Sequence, residues 1–153
     1  MIRVIMNAAV FALGLTLFGL VLANSTHVEA QQDSIQILEG EPGSSPRWGC
    51  GWLDLTAPMD FSQGDRLRLK IGGTATRIMV RLLSRGMYPE TSAGIVGGPI
   101  TVPENRIVNI TLETDRREVI QISVHGGPNP FDKFPLGGGN GPATLETAER
   151  IRP

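Results

Sequence analysis

Apolar and polar residues alternate along several short stretches of this chain, and this period of two limits the fold more than any other feature. The stretch 66–71 reads RLRLKI, with its leucines and isoleucine on one side and its basic residues on the other. The stretches 106–113 (RIVNITLE) and 119–125 (VIQISVH) repeat the pattern. Such alternation is typical of a β-strand with one buried face. The stretch 75–84 (ATRIMVRLLS) is apolar on both sides, which predicts a central strand that is covered on both faces.

Turn-forming residues separate these stretches at a spacing of roughly ten residues, and no stretch has a convincing amphipathic helix pattern. We expect loops at 40–46, 57–65 and 86–99, which contain glycine and proline. The sum predicts an all-β chain, a single jelly-roll-like β-sandwich with roughly seven or eight short antiparallel strands. In that arrangement the first and last strands lie near each other, which would place 34–39 (SIQILE) beside 143–151 (ATLETAERI). A helix is the alternative for the last stretch, because several of its residues favour helices.

The beginning of the chain has the organisation of a secretory signal peptide. Arg3 provides a positive start, a long apolar run follows, and small residues precede two candidate cleavage points, after Ala23 and after Ala30. The alternative is an uncleaved membrane anchor, but the apolar run is shorter than the roughly 20 residues that span a bilayer. We therefore predict a signal peptide at 1–30 and a β-sandwich domain at 31–153. The predicted protein is secreted or periplasmic, with no membrane attachment after cleavage.

Charge and cysteine content exclude several classes of function. The formal net charge is −1, from 14 basic and 15 acidic residues. The chain therefore lacks the excess of positive charge that would attract nucleic acid or anionic lipid. Cys50 is the single cysteine, so no intramolecular disulfide forms. Glycines and tryptophans surround it in sequence, and we expect a buried thiol, with a disulfide between chains as the alternative. An apolar core must therefore hold the fold together.

One stretch resembles a known group of sandwich domains. The pattern F-x-x-G-D-x-L-x-L-x-I begins at Phe61, and Ala75 and the stretch 78–82 (IMVRL) follow it. It resembles the middle of galactose-binding-like jelly rolls of the carbohydrate-binding-module type. The resemblance spans about residues 61–82 and implies a jelly-roll sandwich. Such folds serve sugar binding, protein contacts and structural roles alike, so the resemblance transfers no binding residues.

The sequence contains no recognisable catalytic constellation. No G-x-S-x-G motif is present, and His125 is the one histidine that remains after cleavage at Ala30. His125 ends a predicted strand, and we expect a hydrogen-bonded histidine at the rim of a sheet. Sequence does not show whether any two carboxylates converge as a glycosidase pair, and the conceivable members are Asp54, Asp60, Glu90 and Asp132. We predict a protein without enzymatic activity.

The stretch 126–142 is the longest loop that the sequence predicts. It contains six glycines and four prolines, which interrupt both helices and β-ladders. Loops of this length are usually functional or disordered, and two aromatic residues argue against disorder. Asn129, Asp132 and Asn140 offer oxygen ligands for a structural calcium ion, but asparagine and aspartate are also ordinary turn residues. We predict no cofactor, with that calcium ion as the alternative.

Sugar-binding sites combine aromatic platforms with amides and carboxylates, and most aromatic residues of the predicted domain lie in or beside loops. The sequence therefore favours an exported, non-enzymatic domain that binds carbohydrate or a surface polymer. The candidate ligand-binding residues are Trp48, Tyr88, His125, Asn129, Phe131, Asp132, Phe134 and Asn140. The alternative for the aromatic residues is a core position for Trp52 and Phe61, with Phe131 and Phe134 anchoring the long loop. The alternative function is a structural or protein-interaction domain that contacts an envelope protein.

Overall fold

The computed structural model of the chain describes residues 34–87, 92–127 and 141–153, all within the compact unit Asp33–Pro153. These residues form nine β-strands and two short 3-10 turns, and they contain no α-helix. The strands are β1 (Ser34–Ile37), β2 (Gly40–Ser45), β3 (Cys50–Phe61), β4 (Arg66–Gly73), β5 (Arg77–Ser84), β6 (Ile95–Thr101), β7 (Ile107–Thr111), β8 (Arg116–His125) and β9 (Ala143–Arg152). The 3-10 turns are Pro46–Trp48 and Ser92–Gly94. No helix in the described ranges is long and apolar enough to cross a membrane, and the predicted signal peptide 1–30 lies outside them.

The strands pair into two antiparallel sheets that pack together as a β-sandwich. The four-stranded sheet has the order β1-β9-β4-β7, and the five-stranded sheet has the order β2-β3-β8-β5-β6. With β2 set aside, the chain visits the two sheets in the order of a jelly roll. The first and last strands pair with each other, and Ile35 lies opposite Ile151. These observations confirm the predicted all-β, jelly-roll-like sandwich and the strand prediction for 143–151.

Apolar rows from the inner faces of the two sheets form one core. Strand β4 contributes Leu67, Leu69 and Ile71, each at most 1% exposed. They belong to the same cluster as a row from the five-stranded sheet that includes Val80, Leu82, Ile122 and Val124. Full burial of such a side chain contributes about 1.5–3 kcal/mol. The alternation therefore identifies the inner face correctly in β4 and in β8 from Ile122 onward. Nearer the start of β8, where the register shifts, Val119 and not Ile120 belongs to the core.

Loop-like composition conceals one strand, so the described residues form nine strands and not the predicted seven or eight. The predicted loop 40–46 contains the edge strand β2, which pairs with β3 alone. Its proline is compatible with this position, because an edge strand forms a ladder on one side and needs no N–H on the other. The predicted loops 57–65 and 86–99 are also shorter than expected, since β3 continues to Phe61 and β6 begins at Ile95.

Arg106 closes the connection between β4 and β5. Its own carbonyl oxygen accepts the N–H of Ile71 at 2.9 Å, and its φ of 60° lies in the left-handed region. Its guanidinium donates hydrogen bonds of 2.7–3.1 Å to four carbonyl oxygens, those of Ile71, Gly72, Gly73 and Ala75. A hydrogen bond to a charged group contributes about 1.5–3 kcal/mol. One side chain therefore ties the turn after β4 to the beginning of β7.

We expect Arg106→Ala to lower the free energy of unfolding by about 2–3 kcal/mol, because it removes all four side-chain hydrogen bonds. Arg68→Ala is the matched control. Arg68 is exposed and lies 3.4 Å from Glu149, and an exposed ion pair contributes little. Urea unfolding followed by tryptophan fluorescence measures both variants. Equal losses of stability in the two variants would contradict a special role for Arg106.

Candidate functional site

The structure describes two of the predicted ligand-binding residues. Trp48 ends the 3-10 turn that precedes β3, and His125 ends β8. The structure brings these two residues to the same end of the five-stranded sheet, because Cys50, two residues after Trp48, lies opposite His125. The other predicted residues lie outside the described ranges, namely Tyr88, Asn129, Phe131, Asp132, Phe134 and Asn140. The candidate site is therefore built from the sheet face that carries His125.

The outer face of the five-stranded sheet carries three rows of side chains. Residues directly opposite one another in an antiparallel ladder project from the same face, so the register of β3, β8 and β5 defines each row. The terminal row consists of Cys50, His125 and Met79, the middle row of Trp52, Ser123 and Arg81, and the third row of Asp54, Gln121 and Leu83. The residues between them in sequence, such as Leu53, Ile122 and Val80, belong to the core.

Several side chains on this outer face are buried although they point away from the core. The exposed fractions are 5% for Arg81, 6% for Ser123, 6% for Met79 and 8% for Cys50. The sequence predicted that β5 is covered on both faces, and the burial of its outer residues confirms this. This part of the outer face is therefore shielded from solvent, unlike an ordinary sheet surface.

Trp52 lies over the edge strand next to it. It is half-buried, and Gly43 of β2 is its direct partner in the ladder. A Cβ atom at Gly43 would stand 2.2 Å from two atoms of the indole ring. Because no side chain fits there, the glycine allows the ring to rest on the backbone of β2. The ring is thereby packed on one side against β2 at the edge of the outer face.

Asp54 and Gln121 form a polar pair beside this tryptophan. The Nε2 amide of Gln121 donates a hydrogen bond of 2.7 Å to Oδ1 of Asp54. Asp54 is exposed and Gln121 is half-buried. The pair keeps one amide hydrogen, the amide oxygen and carboxylate lone pairs available to a ligand. Trp52 and Asp54 are two residues apart on one strand, which places them about 7 Å from each other.

His125 is neutral at physiological pH. Burial, together with the positive charge of Arg81, lowers the pKa of His125 to about 4. Its Nε2 atom lies 3.2 Å from the hydroxyl oxygen of Ser123. Its Nδ1 atom is buried and has no hydrogen-bond partner. Since a buried N–H without an acceptor is costly, we assign the ring hydrogen to Nε2, where Ser123 accepts it.

Trp48 is held at the point where the predicted long loop leaves and rejoins the sheets. The Arg47 guanidinium lies 4.7 Å from the centroid of its ring, in a cation–π contact. The carbonyl oxygen of Gly49 accepts the N–H groups of Gly126 and Ala143 at 2.9 and 3.1 Å. Gly49 has a φ of 60°, a conformation that favours glycine. Backbone contacts therefore fix both ends of the stretch 126–142 next to Trp48.

Other titratable groups have structural environments. Cys50 is buried, as the sequence predicted, and this burial raises the pKa of its thiol. The pKa of Asp60 is lowered by the Glu118 N–H and the Arg117 guanidinium, which bind its carboxylate at 2.9 and 2.8 Å. Asp60 therefore fastens β3 to β8. The described residues contain no group of three or more His, Cys, Asp and Glu side chains that could hold a metal ion.

Sequence reasoning did not select several residues of this outer face. Alternation in 48–56 (WGCGWLDLT) places Trp52 and Asp54 on one side of a strand, and alternation in 119–125 places Gln121, Ser123 and His125 on the polar side of another. The missing information was which strands are neighbours and in which register they pair. Arg81 was also missed, because a single arginine in a mostly apolar strand gives no separate signal.

Comparison with known proteins gave no relative, because no protein-family model and no curated protein sequence matches this chain.

We expect the stability of the fold to fall between about pH 6.5 and pH 4 through His125. The folded pKa of about 4 lies below the ordinary 6.5, so protonation favours the unfolded chain. The stability contributed by the neutral ring is present above the unfolded pKa and is lost as pH falls through the folded pKa. The full effect is about 3 kcal/mol.

Urea unfolding in metal-free buffer across this pH range measures the effect. His125→Gln is the control, because glutamine stays neutral at every pH used. The slope of stability against pH between these limits should be smaller in the variant than in the unmodified protein. Identical slopes would show that His125 is not protected from protonation in the fold.

Proposed function

We propose that this domain binds carbohydrate or a surface polymer through a patch formed by Trp52, Asp54 and Gln121, here called the Trp52 patch. The observation that carries the proposal is an indole packed on β2 beside a hydrogen-bonded carboxylate and amide on one sheet face. The expected export of the chain and the resemblance of residues 61–82 to sugar-binding jelly rolls support the same class. The proposed role is binding without catalysis.

The chemistry of the Trp52 patch matches that of a sugar ring. A pyranose has an apolar face of C–H groups, which packs on an aromatic ring, and a rim of hydroxyl groups, which need donors and acceptors. The indole provides the apolar surface. Asp54 accepts hydrogen bonds from hydroxyl groups, and Gln121 both donates and accepts them. Their separation along the strand, about 7 Å, is comparable with the length of one sugar unit.

The arrangement of the Trp52 patch favours an extended ligand over a small enclosed one. Asp54 is exposed, and Trp52 and Gln121 are half-buried, so the patch is open to solvent on a sheet face. An open face suits a polymer chain that lies across the strands, whereas small ligands usually require a concave pocket. We therefore expect affinity to increase with the number of linked sugar units.

Retention on a panel of immobilised polysaccharides tests the proposal. We expect Trp52→Ala to weaken binding by at least about tenfold, since a buried aromatic contact and its packing are lost. Gln121→Ala removes hydrogen bonds without touching the core and should weaken binding about tenfold as well. Thr111→Ala and Arg68→Ala, on the outer face of the other sheet, are the matched controls. Failure of the unmodified protein to bind any glycan, or equal binding by all variants, would reject the Trp52 patch.

A protein-interaction domain is the second candidate, and strand β1 favours it. Ile35 and Ile37 are 61% and 69% exposed and are the exposed large hydrophobic residues of the described chain. Both lie on an edge strand, whose outer backbone groups are available for pairing with another strand. A cavity of about 400 Å³ beside this edge is lined by residues that include Ile37, Leu38, Leu55 and Met59.

The two candidates respond to different substitutions. If strand β1 mediates association between copies, Ile35→Lys combined with Ile37→Lys should shift the purified protein toward monomer in sedimentation velocity and leave glycan retention unchanged. Trp52→Ala should weaken glycan retention and leave the sedimentation behaviour unchanged. A protein that is monomeric at every concentration used, and equally so with both lysines, would remove self-association through β1.

A further inference from the structure

The terminal row of the outer face brings together three side chains that bind soft metal ions. Cys50 lies directly opposite His125 in the β3–β8 ladder, and Met79 lies directly opposite His125 in the β8–β5 ladder. Opposite residues in antiparallel strands project from one face with Cβ atoms about 4.5–5.5 Å apart. The imidazole therefore stands between a thiol and a thioether. The three residues are far apart in the sequence, so no metal-binding spacing is visible there.

The local environment of this row fits a ligand set. Cys50 and Met79 are 8% and 6% exposed, so the two sulfur-containing residues are largely shielded from solvent. The Nδ1 atom of His125 is buried without a hydrogen-bond partner. Burial of an unsatisfied polar atom is unfavourable, and a bound metal ion would remove this cost. With the ring hydrogen on Nε2 and directed at Ser123, Nδ1 presents a lone pair. A neutral imidazole oriented by a hydrogen bond from its other nitrogen is the form that binds metals.

We propose that Cys50, His125 and Met79 form a binding site for a cuprous ion, Cu(I). A thiolate, a thioether and an imidazole together are a soft set, and thiolate and thioether ligands favour Cu(I). Zinc is bound by thiolate, imidazole and carboxylate groups. Calcium and magnesium require oxygen ligands. The third ligand here is a methionine, whose thioether is a soft ligand.

Charge balance also favours a monovalent ion. On binding, the Cys50 thiol loses its proton to solvent, and the new thiolate–metal bond neutralises the single charge of Cu(I). A divalent ion would leave one positive charge beside the largely buried side chains of Cys50 and Met79. Burying an uncompensated charge is costly. The bound Cu(I) form is neutral and avoids that cost.

The sheet holds the row in place before any metal binds. Both ladders pair His125 with a neighbour, and the Gly49 carbonyl next to Cys50 accepts the N–H of Gly126 at 2.9 Å. Ligands carried on neighbouring strands are held more firmly than ligands on loops. This site shares no side chain with the Trp52 patch, so rejection of one proposal leaves the other unaffected.

Anaerobic titration of the full chain with Cu(I), in competition with a chromogenic Cu(I) chelator, tests the site. We expect one Cu(I) bound per chain, one proton released in weakly buffered solution, and a rise in melting temperature with added Cu(I), because the ion binds the folded state. Cys50→Ser, His125→Gln and Met79→Leu should each weaken the affinity by at least about tenfold, in the range seen for loss of a metal-site group.

Met59→Leu is the matched control, because Met59 is half-buried, packs against the core and lies outside the row. It should bind Cu(I) as the unmodified protein does. Met79→Leu conserves volume, and its melting temperature without metal shows whether it is folded. Three results would overturn the proposal. These are no Cu(I) retained against the chelator, loss of affinity in Cys50→Ser alone, and tighter binding of Zn(II) than of Cu(I).

Discussion

The packing of two apolar sheet faces against each other is the interaction on which the rest of this structure depends. Leu67, Leu69 and Ile71 from one sheet join apolar side chains of the other, among them Val80 and Ile122, in a single core. The chain has one cysteine and therefore no intramolecular disulfide to support the sandwich. Glycine at position 51 contributes as well, since a Cβ there would stand 2.6 Å from the Cα of Thr144 in the opposite sheet.

This packing buries one side of each central strand in the core. The side chains on the other side are not needed for the core and can contact a ligand. On β3, β8 and β5 the remaining side carries three ordered rows. Their order along the strands creates distinct environments within a short distance. The third row combines exposed Asp54 with half-buried Gln121 and Leu83, while Cys50 and Met79 of the terminal row are buried. These two environments on one sheet face are the basis of the two separate binding proposals.

Buried charge is the second theme of the structure. Arg150 is 6% exposed on the inner face, yet its guanidinium donates to the Asp60 carbonyl at 2.7 Å and to the Gln36 amide oxygen. It also lies 5.4 Å from the centroid of the Phe61 ring. Burial lowers the pKa of Arg150. Because these partners come from β1 and β3, the arginine joins strands of both sheets.

Local pattern alone identified the inner faces of β4 and β7, the second half of β8 and the closing strand, since residues on the two sides of these strands differ in burial. It does not hold on β1, where Ile35 and Ile37 are exposed. It failed at β2, whose glycines and proline are tolerated because an edge strand pairs on one side only. It also failed to group Cys50 with His125 and Met79, or Trp52 with Gln121. Those groupings depend on which strands become neighbours and in what register, and contacts between distant segments set both. The order of the residues therefore determined which side of most strands is buried. The rows across β3, β8 and β5 were decided only by tertiary structure, because they require these strands to pair in one register.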